Sequence, residues 1–276
     1  MSIQTDIEYA DSTVNGQMGC DGCELWTKRV KSCYAGRMTA HRAGTSGWPA
    51  RFEQPQIFPG RIENAAMWTD LTGMKRPYKP WLDAMPRVIF LNDMGDTFTR
   101  SLPIDWLLPY MPIIEASKHI WLVLTKNGSR MVKFFNDILG YVPGNVWPGV
   151  TITGPKTLTR LDYLLQLPET AIRWVSVEPY LAPIKFPEET FDLIDWLVAG
   201  GSSEPKDPPL LPDDVRKLRD HCHGKKTAFF FKQWGEYTYQ DNQPVLTGKV
   251  AAGRQLDGRL HSAMPAYKLH GQLSLL

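Results

Sequence analysis

The stretch Val88-Ile89-Phe90-Leu91-Asn92, followed at once by Asp93, decides the fold. Four apolar residues of branched and aromatic type, ending on a polar one, describe a strand buried on both faces, as a parallel sheet requires. Working outward, runs of the same kind recur at His119–Leu124, Val146–Ile152, Ile172–Val177, Ile194–Ala199 and Lys226–Phe231, with starts 31, 27, 26, 22 and 32 residues apart. Each interval fits one strand, one helix and two loops. Met131, Phe134, Phe135, Ile138 and Leu139 repeat with helical period between two of these runs, as do Leu158, Leu161 and Leu165 between the next two. Pro212, Asp213 and Asp214 mark a helix start and Gly224 its stop. An earlier strand ends near Val14, a helix starts near Ala35, and Pro103–Ser117 supplies the helix after Val88–Asn92. This alternation predicts an α/β fold, a partial or full (β/α) TIM-like barrel in one domain, with a doubly wound open sheet as the alternative. Residues 1–235 form the core, with a long insertion at 44–80 holding a short helix over Ile62–Leu71, and residues 236–276 form a C-terminal extension packed on the barrel. In either architecture ligands bind at the carboxyl ends of the strands.

Of the 276 residues, 43% are hydrophobic and 22% charged, which excludes a mainly disordered or fibrous chain. A net charge of +2 neither demands nor forbids a polyanionic partner. Met1–Ser12 carries Asp6, Glu8 and Asp11 without a basic, apolar leader, and runs such as Ile120–Leu124 are far too short to span a bilayer. We therefore expect a cytoplasmic protein that does not enter a membrane.

Three of the four cysteines, Cys20, Cys23 and Cys33, lie close together, and the fourth, Cys222, is remote. A local cluster of thiols in a reducing compartment reads as metal binding or catalysis. Thiolates suit zinc and iron–sulfur clusters alike. A structural zinc wants a fourth protein ligand, and the candidates are His221, Cys222 and His223. Cys222, however, follows Val215 and Leu218 on one helical stripe and reads as a core thiol. Three cysteines alone leave one iron of a [4Fe–4S] cluster open to a ligand such as the amine and carboxylate of S-adenosylmethionine. Spacing by itself leaves both metals standing.

A resemblance bears on the choice. Gly19-Cys20 with Cys33-Tyr34-Ala35, Asn92-Asp93-Met94-Gly95-Asp96-Thr97-Phe98, Leu124-Thr125-Lys126, Ser176-Val177-Glu178-Pro179, Gly200-Gly201, the run from Phe230 to Gly235 and the run from Ala252 to Arg259 span most of the chain in order. With them the chain resembles a phage-associated family of radical S-adenosylmethionine-like proteins. It departs from that pattern in the cysteine loop, where many members write a longer first gap and a short second one, and at Asn15-Gly16, where they write asparagine and proline. The resemblance implies a metal site at Cys20, Cys23 and Cys33, holding a [4Fe–4S] cluster. It implies cofactor-binding positions at Tyr34, Asp93, Asp96, Lys126, Ser176, Glu178, Gly200 and Gly201. Substrate-binding positions are Asn15, Arg37, Lys232, Gln233, Trp234 and Arg254, with Arg42 and Arg259 as further cations. The expected partners are S-adenosylmethionine, a nucleotide or DNA base, and a flavodoxin- or ferredoxin-like electron donor. The implied reaction cleaves S-adenosylmethionine to a 5′-deoxyadenosyl radical and isomerises an amino-acid-bearing thymine in modified phage DNA. The alternatives are a zinc-stabilised nucleic-acid-binding protein without catalysis and a radical DNA-repair lyase.

Overall fold

The computed structural model describes residues 3–241 and 243–267. Seven strands form one sheet: β1 (Ser12–Val14), β2 (Val88–Leu91), β3 (Ile120–Thr125), β4 (Val146–Thr151), β5 (Trp174–Val177), β6 (Trp196–Gly200) and β7 (Ala228–Gln233). All neighbours pair in parallel and in chain order. A doubly wound sheet reverses its order at a switch point; this one never does. Nor do β1 and β7 pair, so the sheet is an open half-barrel rather than a closed one. Six of the seven strand positions follow the expected runs, with starts moved by up to two residues.

The two faces of the sheet differ. Ile89, Leu91, Trp121, Val123, Val175, Val177, Leu197, Phe229 and Phe231 point outward into one core with residues of the helical segments, among them Met131, Phe134, Leu161, Val215, Leu218 and Cys222. Residues between them point inward: Phe90, Leu122, Trp147, Trp174, Trp196 and Phe230 make a second core, plugged by Tyr9, Leu82 and Met85. Gly149 makes room in this floor, since a Cβ there would stand 2.5 Å from the Trp174 ring. Continuing the inward alternation beyond the floor brings Lys126, Glu178 and Lys232 to the carboxyl rim.

The helices are α1 (Tyr34–Arg42), α2 (Arg61–Ala66), α3 (Met111–Ala116), α4 (Gly128–Val132, continuing as a π-helical turn over Lys133–Leu139), α5 (Arg160–Leu164), α6 (Thr190–Leu193) and α7 (Pro212–Cys222). Two are shorter than the sequence predicts. α3 does not begin at Pro103, because Pro109 and Pro112 lack the N–H groups a helix interior needs and sit in a 3₁₀ turn and the first turn of α3. α2 stops at Ala66, before Asp70, whose carboxylate takes the N–H and hydroxyl of Thr72 in a turn of its own.

Beyond β7 the sequence predicts no definite element, yet a hairpin of Tyr237–Gln240 with Gln243–Leu246 and a smaller one of Gln255–Leu256 with Arg259–Leu260 are present. Phe231 N–H donates to His261 O, Ala263 N–H to Phe229 O and Trp196 Nε1–H to Ala263 O. Asp257 accepts from both Arg216 and Arg219 of α7, which hold its carboxyl down at about 2. The expected extension runs to residue 276, and 268–276 lie outside the described residues. Among the described residues no helix is long and apolar enough to cross a membrane.

Candidate functional site

At the carboxyl ends of the strands lies a cavity of about 230 Å³. Its walls bring together twelve residues singled out from the sequence: Cys20, Cys23, Cys33, Tyr34, Arg37, Asp93, Asp96, Lys126, Glu178, Gly201, Lys232 and Gln233. Seven others, Asn15, Ser176, Gly200, Trp234, Arg254 and the exposed Arg42 and Arg259, stand behind or away from it.

The cysteine loop is docked on the sheet by the Asn92–Phe98 segment. Asn92, in the left-handed region at φ 63°, accepts from Gln17 N–H and donates to Thr97 Oγ1; asparagine tolerates that backbone better than most residues. Gly95 lies against Gly19, whose carbonyl oxygen would be 2.6 Å from a Cβ at Gly95. Asp21 accepts from Thr99 Oγ1 and from the N–H groups of Arg100 and Ser101. Glu24 ties the far side down: Arg160 donates to both its oxygens at 2.9 and 2.7 Å, and Thr153 Oγ1 donates at 3.0 Å. Gly22 N–H points at Cys20 Sγ and Leu25 N–H at Cys23 Sγ, both at 3.4 Å. Such N–H···S contacts stabilise thiolate and tune a metal bound to it.

Burial opposes the charge of Glu24, but Arg160 outweighs it and holds the carboxyl down at about 2, from 4.5. A carboxyl lowered on folding stabilises the fold above its unfolded pKa, and that gain is lost as pH falls toward the folded value. With the side chain 30% exposed, the gain is about 2 kcal/mol after solvent screening. Glu24→Gln is therefore expected to be less stable than the parent at pH 7 and to approach it by pH 2 to 3. Denaturant midpoints across that range read this directly, and a gap independent of pH would show that the pair contributes nothing.

Lys126 projects into the cavity from the end of β3. Among the described residues its ammonium donates to Thr151 Oγ1 at 3.4 Å and forms no ion pair. Burial works against its charge, while Cys23, Cys33, Glu24 and Asp96 hold its pKa above the ordinary value. Burial pushes the Cys20 thiol up to about 12 and raises that of Cys23. Glu24 is held by Arg160, and Asp96 accepts from Thr125 Oγ1, Lys126 N–H and Phe98 N–H. Asp96 is thus a clasp between strand ends that also faces the cavity.

On the opposite wall Lys232 Nζ lies 2.7 Å from Glu178 Oε2, both side chains largely buried, with the ammonium 5.4 Å from the Tyr9 ring centre. Burial and the Glu178 carboxylate raise the Tyr9 phenol well above its usual range. Gly200 does not line the cavity but leaves room for Glu178, whose Oε2 would lie 3.1 Å from a Cβ there. Ser176, two residues before Glu178, is buried and its hydroxyl has no partner among the described residues, as is the case for Oε1 of Gln233. Asn15 stands behind Asp93, donating to its Oδ1 at 2.6 Å and accepting from Met94 N–H. Burial raises the Asp93 carboxyl above the usual aspartate value, with the Asn15 hydrogen bond opposing.

Three expectations change. Trp234 packs edge-on against Phe231 and donates to Gln255 O, so it secures the extension. Arg254 lies over the Trp81 and Phe230 rings and donates to Phe231 O and Ser262 Oγ, so it meets carbonyls and aromatic faces instead of phosphate. Arg37 reaches the cavity but is paired with Glu204 at 2.6 Å. Sequence reasoning missed the Glu24–Arg160 clasp, whose partners lie 136 residues apart.

For a metal, the donor set fits thiolate chemistry in kind. Among the described residues no histidine lines the cavity, and Cys222 is buried between α7 and the sheet, which removes the fourth ligands considered for zinc. Among the described residues no three histidine, cysteine, aspartate or glutamate side chains converge closely enough to hold a metal ion as they stand. A bound cluster therefore requires the thiols to turn toward one another.

A family model described as a protein of unknown function, DUF5131, matches residues 4–265. The chain belongs to the DUF5131 family. This overturns the assignment to a radical S-adenosylmethionine-like phage family drawn from the motifs, because the model that spans the chain carries no such description. The structure supplies another origin for several of those motifs: in this DUF5131 protein the Asn92–Phe98, Gly200-Gly201 and Ala252–Arg259 segments clasp loops and strand ends together. No curated protein and no solved structure matches the chain.

Proposed function

We propose that the protein is an enzyme that cleaves S-adenosylmethionine reductively at a [4Fe–4S] cluster and uses the resulting radical to modify a nucleobase. The observation that carries this reading is that three cysteines of one loop share a cavity with a half-buried lysine that, among the described residues, forms no ion pair. A reduced cluster, when bound, supplies the electron that breaks a carbon–sulfur bond of S-adenosylmethionine, giving methionine and a 5′-deoxyadenosyl radical. Cys20, Cys23 and Cys33 would hold three irons, and the N–H groups of Gly22 and Leu25 would steady two of the sulfurs. Lys126 offsets anionic charge on that wall. Asp93, Glu178 and Gln233 offer acceptors for amine and hydroxyl groups, and Lys232 a donor. The aromatic floor of Trp174, Trp196 and Phe230 keeps water from below the site. The specific reaction we assign is isomerisation of an amino-acid-bearing thymine in modified DNA, with electrons from a flavodoxin- or ferredoxin-like donor.

Anaerobic reconstitution with iron and sulfide, reduction with S-adenosylmethionine present, and chromatography for 5′-deoxyadenosine test the proposal. The parent is expected to be brown and to release 5′-deoxyadenosine, and Cys33→Ala to release none. A colourless protein holding one zinc and releasing none would overturn it. Product analysis on amino-acid-bearing versus photodamaged thymine separates isomerisation from repair.

A further inference from the structure

The segment that carries the cysteines also carries a concentrated positive charge. From Leu25 to Arg61 seven lysines and arginines stand against Glu53 alone, a balance of +6 in a chain of net +2, so the rest of the molecule carries −4. Three of the seven are engaged: Arg37 with Glu204, Lys31 with Glu53, and Arg61 with the carbonyls of Asn15 and Gly47. Lys28, Arg29, Arg42 and Arg51 are exposed and, among the described residues, form no ion pair. Lys28 and Arg29 form the tip of a hairpin closed by Trp26 and Lys31, whose base carries Cys23 and Cys33. Trp26 packs on Gly36 of α1, which runs about 13 Å to Arg42. Arg51 and Ala40 of α1 line one shallow groove beside it.

The acidic groups around the mouth each have partners of their own, two of them cationic. Asp21 is held by Thr99 and backbone N–H groups, Glu24 by Arg160, Glu204 by Arg37, and Asp207 by Ser32 and Ser202. At the edge of the cavity Tyr34 keeps 56% of its surface exposed.

We infer that this hairpin and helix dock a single strand of nucleic acid, with phosphates against Lys28, Arg29, Arg42 and Arg51 and one base entering the cavity past Tyr34. The inference rests on the proposed reading for its chemistry, and it adds where the strand carrying the base lies and that the strand is single. Unpaired cations supply sequence-independent, salt-sensitive affinity. An exposed ring beside a concave site supplies a stacking face for an unpaired base. An acidic protein partner would use the cations but has no need of the ring.

Fluorescence anisotropy with labelled oligothymidylate on the full-length protein tests this. Four phosphate contacts on single-stranded DNA give a slope of about −3 for log affinity against log salt. Lys28→Ala/Arg29→Ala is expected to weaken binding about tenfold at low salt and to flatten the slope by about 1.4. Tyr34→Ala is expected to weaken binding about tenfold with the slope unchanged, and Lys133→Ala, on the outer helix layer, to leave binding as it is. Parent protein that ignores the oligonucleotide, or binding that survives the double variant, overturns the inference. So does a double variant that loses affinity for reduced flavodoxin while keeping that for DNA. Release of 5′-deoxyadenosine without oligonucleotide, measured in the same double variant, is expected to be unchanged. Strand binding without any such release in the parent sinks the radical chemistry alone, and release without strand binding sinks this inference alone.

Discussion

Gly201→Ala is expected to lose about 3 kcal/mol or more of folding stability, at the upper end of what added bulk costs in a packed site. A Cβ at Gly201 would lie 1.9 Å from the Trp234 carbonyl oxygen and 2.6 Å from its carbon, and Gly201 N–H donates to Gln233 O. The obstacle is backbone, which cannot rotate aside as a side chain can. Gly235 approaches from the other direction, 2.2 Å from Ser202 O if given a Cβ. The ends of β6 and β7 are thus pressed together, and separating them also moves Lys232 and Gln233. Gly224→Ala is the control: its φ is +74° and nothing lies within 4 Å of the added carbon, so only backbone strain of about 1 kcal/mol is expected. Denaturant midpoints of the two variants decide the matter; similar losses would mean that the Gly201 contact relaxes freely.

Lys126→Met is expected to separate stability from activity. Lys126 is half-buried, with one long hydrogen bond and, among the described residues, no ion pair, and replacing such a charge by an apolar side chain of similar volume is often neutral or stabilising. Metal-free Lys126→Met should unfold at the same denaturant concentration as the parent or higher, by about 1 kcal/mol. After reconstitution it should retain less iron and release no 5′-deoxyadenosine. A loss of about 3 kcal/mol or more in the metal-free protein, of the size expected when one partner of a buried pair is removed, would show instead that the lysine belongs to the scaffold.

The strands were legible because a sheet buried on both faces needs unbroken apolar runs, and Val88–Leu91 or Trp196–Ala199 can be little else. That the sheet stays open was not, since closure depends on how the first and last strands meet, which no local pattern encodes. The cavity was legible for the same reason as the strands: Lys126, Glu178 and Lys232 follow them directly. Asp96, Gly201, Trp234 and Arg254 stood out equally in the sequence, but much of what they do is hold backbone segments to one another. A residue confined by packing and one confined by a ligand leave similar marks in a single chain. The Glu24–Arg160 clasp left no mark, because neither residue announces a partner so distant.

The floor of the half-barrel has a bearing on synthesis. Trp196 donates to Ala263, Phe230 bridges to Ser262, and Tyr267 meets Trp147, so part of the inner aromatic layer is covered by residues 261–267, which are made after all seven strands. Every strand can emerge and pair, with Tyr9 and Trp81 already on the layer, before that part of it is covered. Completion of the floor must then wait for residues 261–267, and for that interval the parts of Trp147, Trp196 and Phe230 that they cover stay open to whatever chaperone or neighbouring chain is at hand.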